Sequence, residues 1–171
     1  LIAVIGLLVV GVTMVLSTSY LYADERFADG TYFFRKQLIA LGAGVIGLIA
    51  CSLLSAPAYR RLAYPLLGLT LLILILVLIP GIGALRGGAR RWLTFAGFGF
   101  QPAELAKLAL VIYLAHSMAK KEDRIKTFAI GVLPHLIVTG ACLGLLLLEP
   151  DFGTALILVM LLYSMLFIGG V

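Results

Sequence analysis

The stretch LAYPLLGLTLLILILVLIPGIGAL, Leu62 to Leu85, carries no charged side chain and is apolar on every helical face. An α-helix rises about 1.5 Å per residue, so roughly 20 such residues cross the hydrocarbon of a bilayer. A soluble core would break so long a run with polar positions. Outward from it, further apolar spans lie near residues 1–23, 34–56, 102–120, 127–148 and 152–171. About six spans in all predict an all-α, polytopic membrane protein, read as a single transmembrane domain over 1–171.

Composition agrees. Of 171 residues, 63% are hydrophobic and 12% charged, with a mean hydropathy of +1.16, whereas an ordinary soluble domain carries roughly 25% charged residues. The chain opens inside an apolar block, with no basic leader and cleavage site, and closes on the apolar run Phe167 to Val171; it reads as a fragment of a longer protein. Cys51 and Cys142 lie in apolar blocks without a partner at metal-ligand spacing, which argues against a zinc site or a disulfide framework. The net charge of +5 comes from Lys and Arg at the ends of apolar segments, where anionic lipid and membrane insertion explain them; nucleic acid is excluded as a partner.

Charge does not by itself orient the chain. Arg26, Arg35, Lys36, Arg86, Arg90 and Arg91 fall on one side, and Arg60, Arg61, Lys120, Lys121, Arg124 and Lys126 on the other. If the three arginines of the 86–101 loop are held outside for a functional reason, the remaining charges put the Arg60 and Lys120 turns in the cytoplasm and make 86–101 an extracytoplasmic loop.

That loop combines Gly87-Gly88, which permits close backbone approach, with Arg90-Arg91, whose planar forks match phosphate oxygens, and with Trp92 and several phenylalanines suited to the membrane interface. Together they suit a phosphate-bearing amphiphile. The plainer alternative is a re-entrant loop whose arginines meet lipid headgroups. Gln101-Pro102-Ala103-Glu104 marks a helix start, and Lys107 shares a face with Glu104, so the two can pair. In Glu149-Pro150-Asp151-Phe152-Gly153-Thr154, Asp151 is better placed to cap the next helix than to catalyse. Glu149 and Asp151 still bring two carboxylates to the side of the basic loop, where an acid, a base or a ligand for a divalent cation is useful; no other cofactor is indicated, and no metal site is assigned. His116 and His135 read as packing residues, and Pro134 as a kink in the fifth helix.

Three ordered elements, Gly88-Ala89-x-Arg91-Trp92, Gln101-Pro102-Ala103-Glu104-x-x-Lys107 and Pro150-Asp151-x-Gly153-Thr154, resemble the SEDS family of bacterial membrane proteins serving shape, elongation, division and sporulation. Met14 to Ser19 and Tyr32-Phe33-Phe34 also resemble it, and Ala103 leans toward the cell-division branch. The resemblance implies the first part of a ten-helix bundle in the bacterial cytoplasmic membrane. It further implies a peptidoglycan glycosyltransferase that polymerises lipid II on the outer face, working with a class B penicillin-binding protein and other division components. The family's proposed catalytic acid lies in a later extracytoplasmic loop, past Val171, so the catalytic residue is unknown here and this stretch alone is expected to be inactive.

Arg90, Arg91, Trp92, Gln101, Glu104, Lys107 and Asp151 are the substrate-binding candidates, with Arg86 in reserve. The arginines would stabilise a departing diphosphate, and Trp92 would stack on a sugar or anchor the loop. Two competing readings use the same residues differently. A lipid II flippase would use the charges as a polar pathway, and a noncatalytic scaffold would recruit its partner through a small-residue face such as Ala40, Gly44 and Gly47.

Overall fold

The computed structural model describes residues 2–27, 29–86, 88–95, 98–121 and 124–171, without the side chains of residues 27, 86, 95 and 98. Its helices are α1 (Ile2–Phe27), α2 (Tyr32–Ser52), α3 (Ala56–Leu78), α4 (Pro102–Lys120), α5 (Leu133–Leu148) and α6 (Phe152–Ile168). A sheet of β1 (Gly83–Arg86), β2 (Ala89–Phe95) and β3 (Phe98–Phe100) joins α3 to α4. Four segments, Ile2–Arg26, Tyr32–Ser52, Ala56–Leu78 and Phe128–Leu148, are long and apolar enough to cross a membrane. The protein is a multi-pass, predominantly helical membrane protein.

The chain divides into two compact units, Leu1–Leu54 and Ser55–Val171, where the sequence suggests one domain. Hydropathy reveals that a span exists and says nothing of which spans it packs with. The first unit is the α1–α2 hairpin. Its turn is held by Asp29, which accepts from the Thr31 amide (3.1 Å) and hydroxyl (2.8 Å) and pairs with Arg35. These Thr31 bonds, with Arg35 adding to them, keep the Asp29 carboxyl below its ordinary range. Gly30 lies under the Tyr20 ring, where a Cβ would come within 2.6 Å of the aromatic edge. None of the α2 side chains is buried, and Leu48 and Ile49 stand open as lipid-facing residues do.

The second unit holds the core. Ala103, Ala106, Leu110, Tyr113, Leu114 and Met118 form a stripe on α4 at helical spacing, packed with Leu67 and Leu74 of α3, Cys142 and Leu146 of α5, and Leu158 and Leu162 of α6. Alanines in the first half of α4 let neighbouring backbones approach, the usual basis of helix association in lipid. Tyr64 sits edge-on to Tyr113 (5.9 Å) and to His116 (5.5 Å), so the start of α3 lies beside the end of α4 and the two run antiparallel.

A polar tie links α4 to α5. His135 Nδ1 stands 2.6 Å from the Gly131 carbonyl oxygen, which can only accept, so this nitrogen carries the proton. Nε2 then accepts from the Ser117 hydroxyl at 3.0 Å. The packing role read for His135 is thus made by two hydrogen bonds. Pro134 stands in the first turn of α5, directly after a π-helical segment, Phe128–Val132, within the helical run 128–148.

The span expected over 62–85 is displaced. The helix begins at Ala56 and stops at Leu78, because Ile79 precedes Pro80 and adopts the extended conformation (φ −71, ψ 126) that a following proline imposes. The second helix likewise covers Tyr32–Ser52 and not 34–56, with the short turn before Ala56 falling between the two helices. The 86–101 loop is largely sheet. Arg86 pairs with Ala89 at the end of the antiparallel β1–β2 pair, and Gly88 takes φ +81. Residues 87, 96 and 97 of that loop, and the Arg86 side chain, lie outside the described part.

Candidate functional site

The sheet is irregular at the position that matters most. Ala84 pairs with Trp92 and Leu85 with Arg90, which leaves Arg91 as the extra residue of a bulge on β2. Bulges re-aim side chains, and Arg91 reaches from the sheet to the corner between α5 and α6. Its Nε donates to the Glu149 carbonyl oxygen at 2.9 Å and its terminal nitrogen to that of Pro150. The planar guanidinium spans two carbonyls in a way a lysine ammonium does not. Its remaining N–H donors have no partner among the described residues.

A second tie runs from the start of α4. Gln101 Nε2 donates to Asp151 Oδ2 at 2.9 Å. Asp151 caps α6 as its position in the sequence suggests: Oδ1 accepts from the Thr154 amide (3.2 Å) and Oδ2 from the Thr154 hydroxyl (2.9 Å). Three donors therefore converge on one buried carboxylate. Sheet, α4 and α6 are fastened at one point by Arg91, Gln101 and Asp151.

Glu149 lies beneath this fastening. It is 1% exposed, and neither carboxylate oxygen has a hydrogen-bond partner among the described residues. Burial, reinforced by the Asp151 charge and opposed by Arg91, pushes its pKa up to about 7. Sequence reasoning placed Glu149 beside the site without recognising its burial; the signal was its position at the end of an apolar helix just before the Pro150 corner.

The remaining candidates are not gathered into this cluster. Glu104 and Lys107 pair at 2.8 Å on α4, with Glu104 60% exposed. Arg90 is half-buried on β2 and makes no hydrogen bond or ion pair with the described residues. Trp92 is half-buried in the same strand. Among the described residues no three His, Cys, Asp or Glu side chains stand together, and both Asp151 oxygens accept hydrogen bonds.

A helical membrane protein that fastens an arginine-bearing sheet to an acidic helix corner belongs to the class that gathers ionisable groups at a membrane face, where such groups mark a candidate functional site. The chain belongs to the cell cycle protein family that takes in FtsW, RodA and SpoVE, whose model matches residues 1–171. It is 44% identical over 170 residues to a probable peptidoglycan glycosyltransferase FtsW of Trichlorobacter lovleyi, covering 99% of this chain and 45% of that one. It also matches the rod shape determining protein RodA of Thermus thermophilus, at a TM-score of 0.73 and 32% identity, covering 96% of this chain and 53% of that one. A chain from a peptidoglycan synthase complex that coordinates polymerization and crosslinking matches at a TM-score of 0.72 and 34% identity, over 95% of this chain and 47% of that one. The chain thus spans under half the length of the curated relatives it matches.

Proposed function

We propose that this chain is part of a peptidoglycan glycosyltransferase of the FtsW type, polymerising lipid II at the outer face of the bacterial cytoplasmic membrane during division. The names of its relatives support the activity. The observation that carries a role for these residues is Arg90, a half-buried cation on a strand that Arg91 fastens to the α5–α6 corner.

In such a reaction a sugar hydroxyl of one lipid-linked unit attacks the anomeric carbon of another. The bond to undecaprenyl pyrophosphate breaks, the departing oxygen keeps the electron pair, and the hydroxyl proton passes to a base. Charge grows on the diphosphate as it leaves. Arg90, with the free donors of Arg91, is positioned to stabilise that charge on a strand that does not have to reorganise. Trp92 in the same strand supplies an apolar face for a sugar or the interface. Lys107, already neutralised by Glu104, is a weaker candidate. A class B penicillin-binding protein and further division components are the expected partners.

Lipid II polymerisation in detergent by the full-length protein with its penicillin-binding partner tests this reading. Arg90→Ala is expected to lower the rate by about a hundredfold while leaving expression and partner binding intact. An unchanged rate removes Arg90 from the mechanism. Translocation of lipid II in sealed vesicles without chain growth in detergent replaces the enzyme by a flippase.

A further inference from the structure

At the end of the second unit away from the sheet, the first turns of α3 and the last turns of α4 enclose a cleft of about 330 Å³. Val111, Ile112 and Ala115 form its apolar wall, and Tyr59, Arg60 and His116 its mouth. A smaller cavity of about 190 Å³ shares Arg60 and His116 and adds Lys120. The Tyr64 ring, edge-on to His116 at 5.5 Å, holds the imidazole at that mouth. Among the described residues no carboxylate lines either cavity, and neither Arg60 nor Lys120 forms an ion pair.

An apolar slot with a cationic mouth selects one kind of occupant. A soluble phosphate has no use for the wall formed by Val111 and Ile112. A zwitterionic lipid would bring its own cation against Arg60 and Lys120. We propose that this cleft holds one anionic phospholipid of the leaflet on that face, its phosphate between Arg60, His116 and Lys120 and one acyl chain along Val111, Ile112 and Ala115. The lipid would close the gap between α3 and α4 at the end where no sheet joins them.

Native mass spectrometry of the full-length protein in detergent, with added dioleoylphosphatidylglycerol or dioleoylphosphatidylcholine, tests the assignment. The protein is expected to retain one phosphatidylglycerol in preference to phosphatidylcholine, and Arg60→Gln and Lys120→Gln are each expected to weaken retention about fivefold. Ala115→Trp fills the slot without changing charge and is expected to weaken it as much. Arg60→Lys, which keeps the charge, and Lys126→Gln, at the same end but outside the cleft, are expected to leave it within about twofold. Equal retention of the two lipids overturns the proposal. So does a loss with Lys126→Gln equal to that with Arg60→Gln, which would mean diffuse surface attraction, or displacement of the lipid by millimolar glycerol 3-phosphate, which would mean a soluble phosphate site.

Discussion

The two ends of the second unit handle charge in opposite ways. At the sheet end, Arg91 is bound to two backbone carbonyls, Asp151 collects three donors, and Glu149 is buried under both. At the other end, Arg60 and Lys120 stand at the mouth of an apolar cleft without a described counter-ion. The first end uses charge to fix backbone, the second leaves it available. Stability is therefore expected to depend on substitutions at the first end and ligand retention on those at the second.

The largest expected effect is that of Arg91→Ala. It removes two charge-assisted hydrogen bonds that join the sheet to the corner and should cost about 3 kcal/mol, read as thermal unfolding in detergent. Arg91→Lys should recover less than half of that, because its donors sit on a single nitrogen and do not reproduce the two separated donors of the planar guanidinium. Full recovery by lysine would mean that charge, and not the fork, sets the brace.

Glu149→Gln should stabilise the protein by roughly 2 kcal/mol at pH 8. The sign follows from a folded pKa of about 7 against an ordinary 4.5. Below the lower value the carboxyl is neutral in both states. Between the two the unfolded chain releases the proton and the folded chain keeps it, so stability falls as pH rises, and above about 7 the full penalty applies. The glutamine variant should lose that slope, and a wild-type melting temperature that is flat across this window would contradict the burial of Glu149.

Asp151→Ala should cost about 1 kcal/mol through loss of the α6 cap, with Asp151→Asn recovering most of it. Smallest is Glu104→Gln, expected to change stability by less than about 0.5 kcal/mol, since Glu104 is itself 60% exposed. A larger loss there would place the pair in a less solvated setting than its exposure indicates.

The contrast between the two ends was only partly legible in the sequence. Pro102 and Glu104 mark the start of α4, and the Asp151-to-Thr154 spacing marks a helix cap; both are local rules and both describe the structure. Ile79-Pro80 also carried a local signal, a helix stop, that the apolar run up to Leu85 concealed. The glycines before Arg90 read as part of a ligand loop, whereas the pairing of Gly83 with Leu93 puts the residues around them in a sheet. The reach of Arg91 to the α5–α6 corner had no local signature, and the burial of Glu149 had only its place at the end of an apolar helix. The Arg91 contact joins residues 58 positions apart in the chain, which spacing along the sequence does not reveal.

The fastening of the sheet to the α5–α6 corner by Arg91 is tested most directly by hydrogen–deuterium exchange of the full-length protein in nanodiscs, wild type against Arg91→Ala. Faster exchange is expected both in residues 89–95 and at the amides of 151–154, with residues 111–120 of α4 unchanged. Exchange at 151–154 that stays at the wild-type rate while residues 89–95 open would contradict the brace.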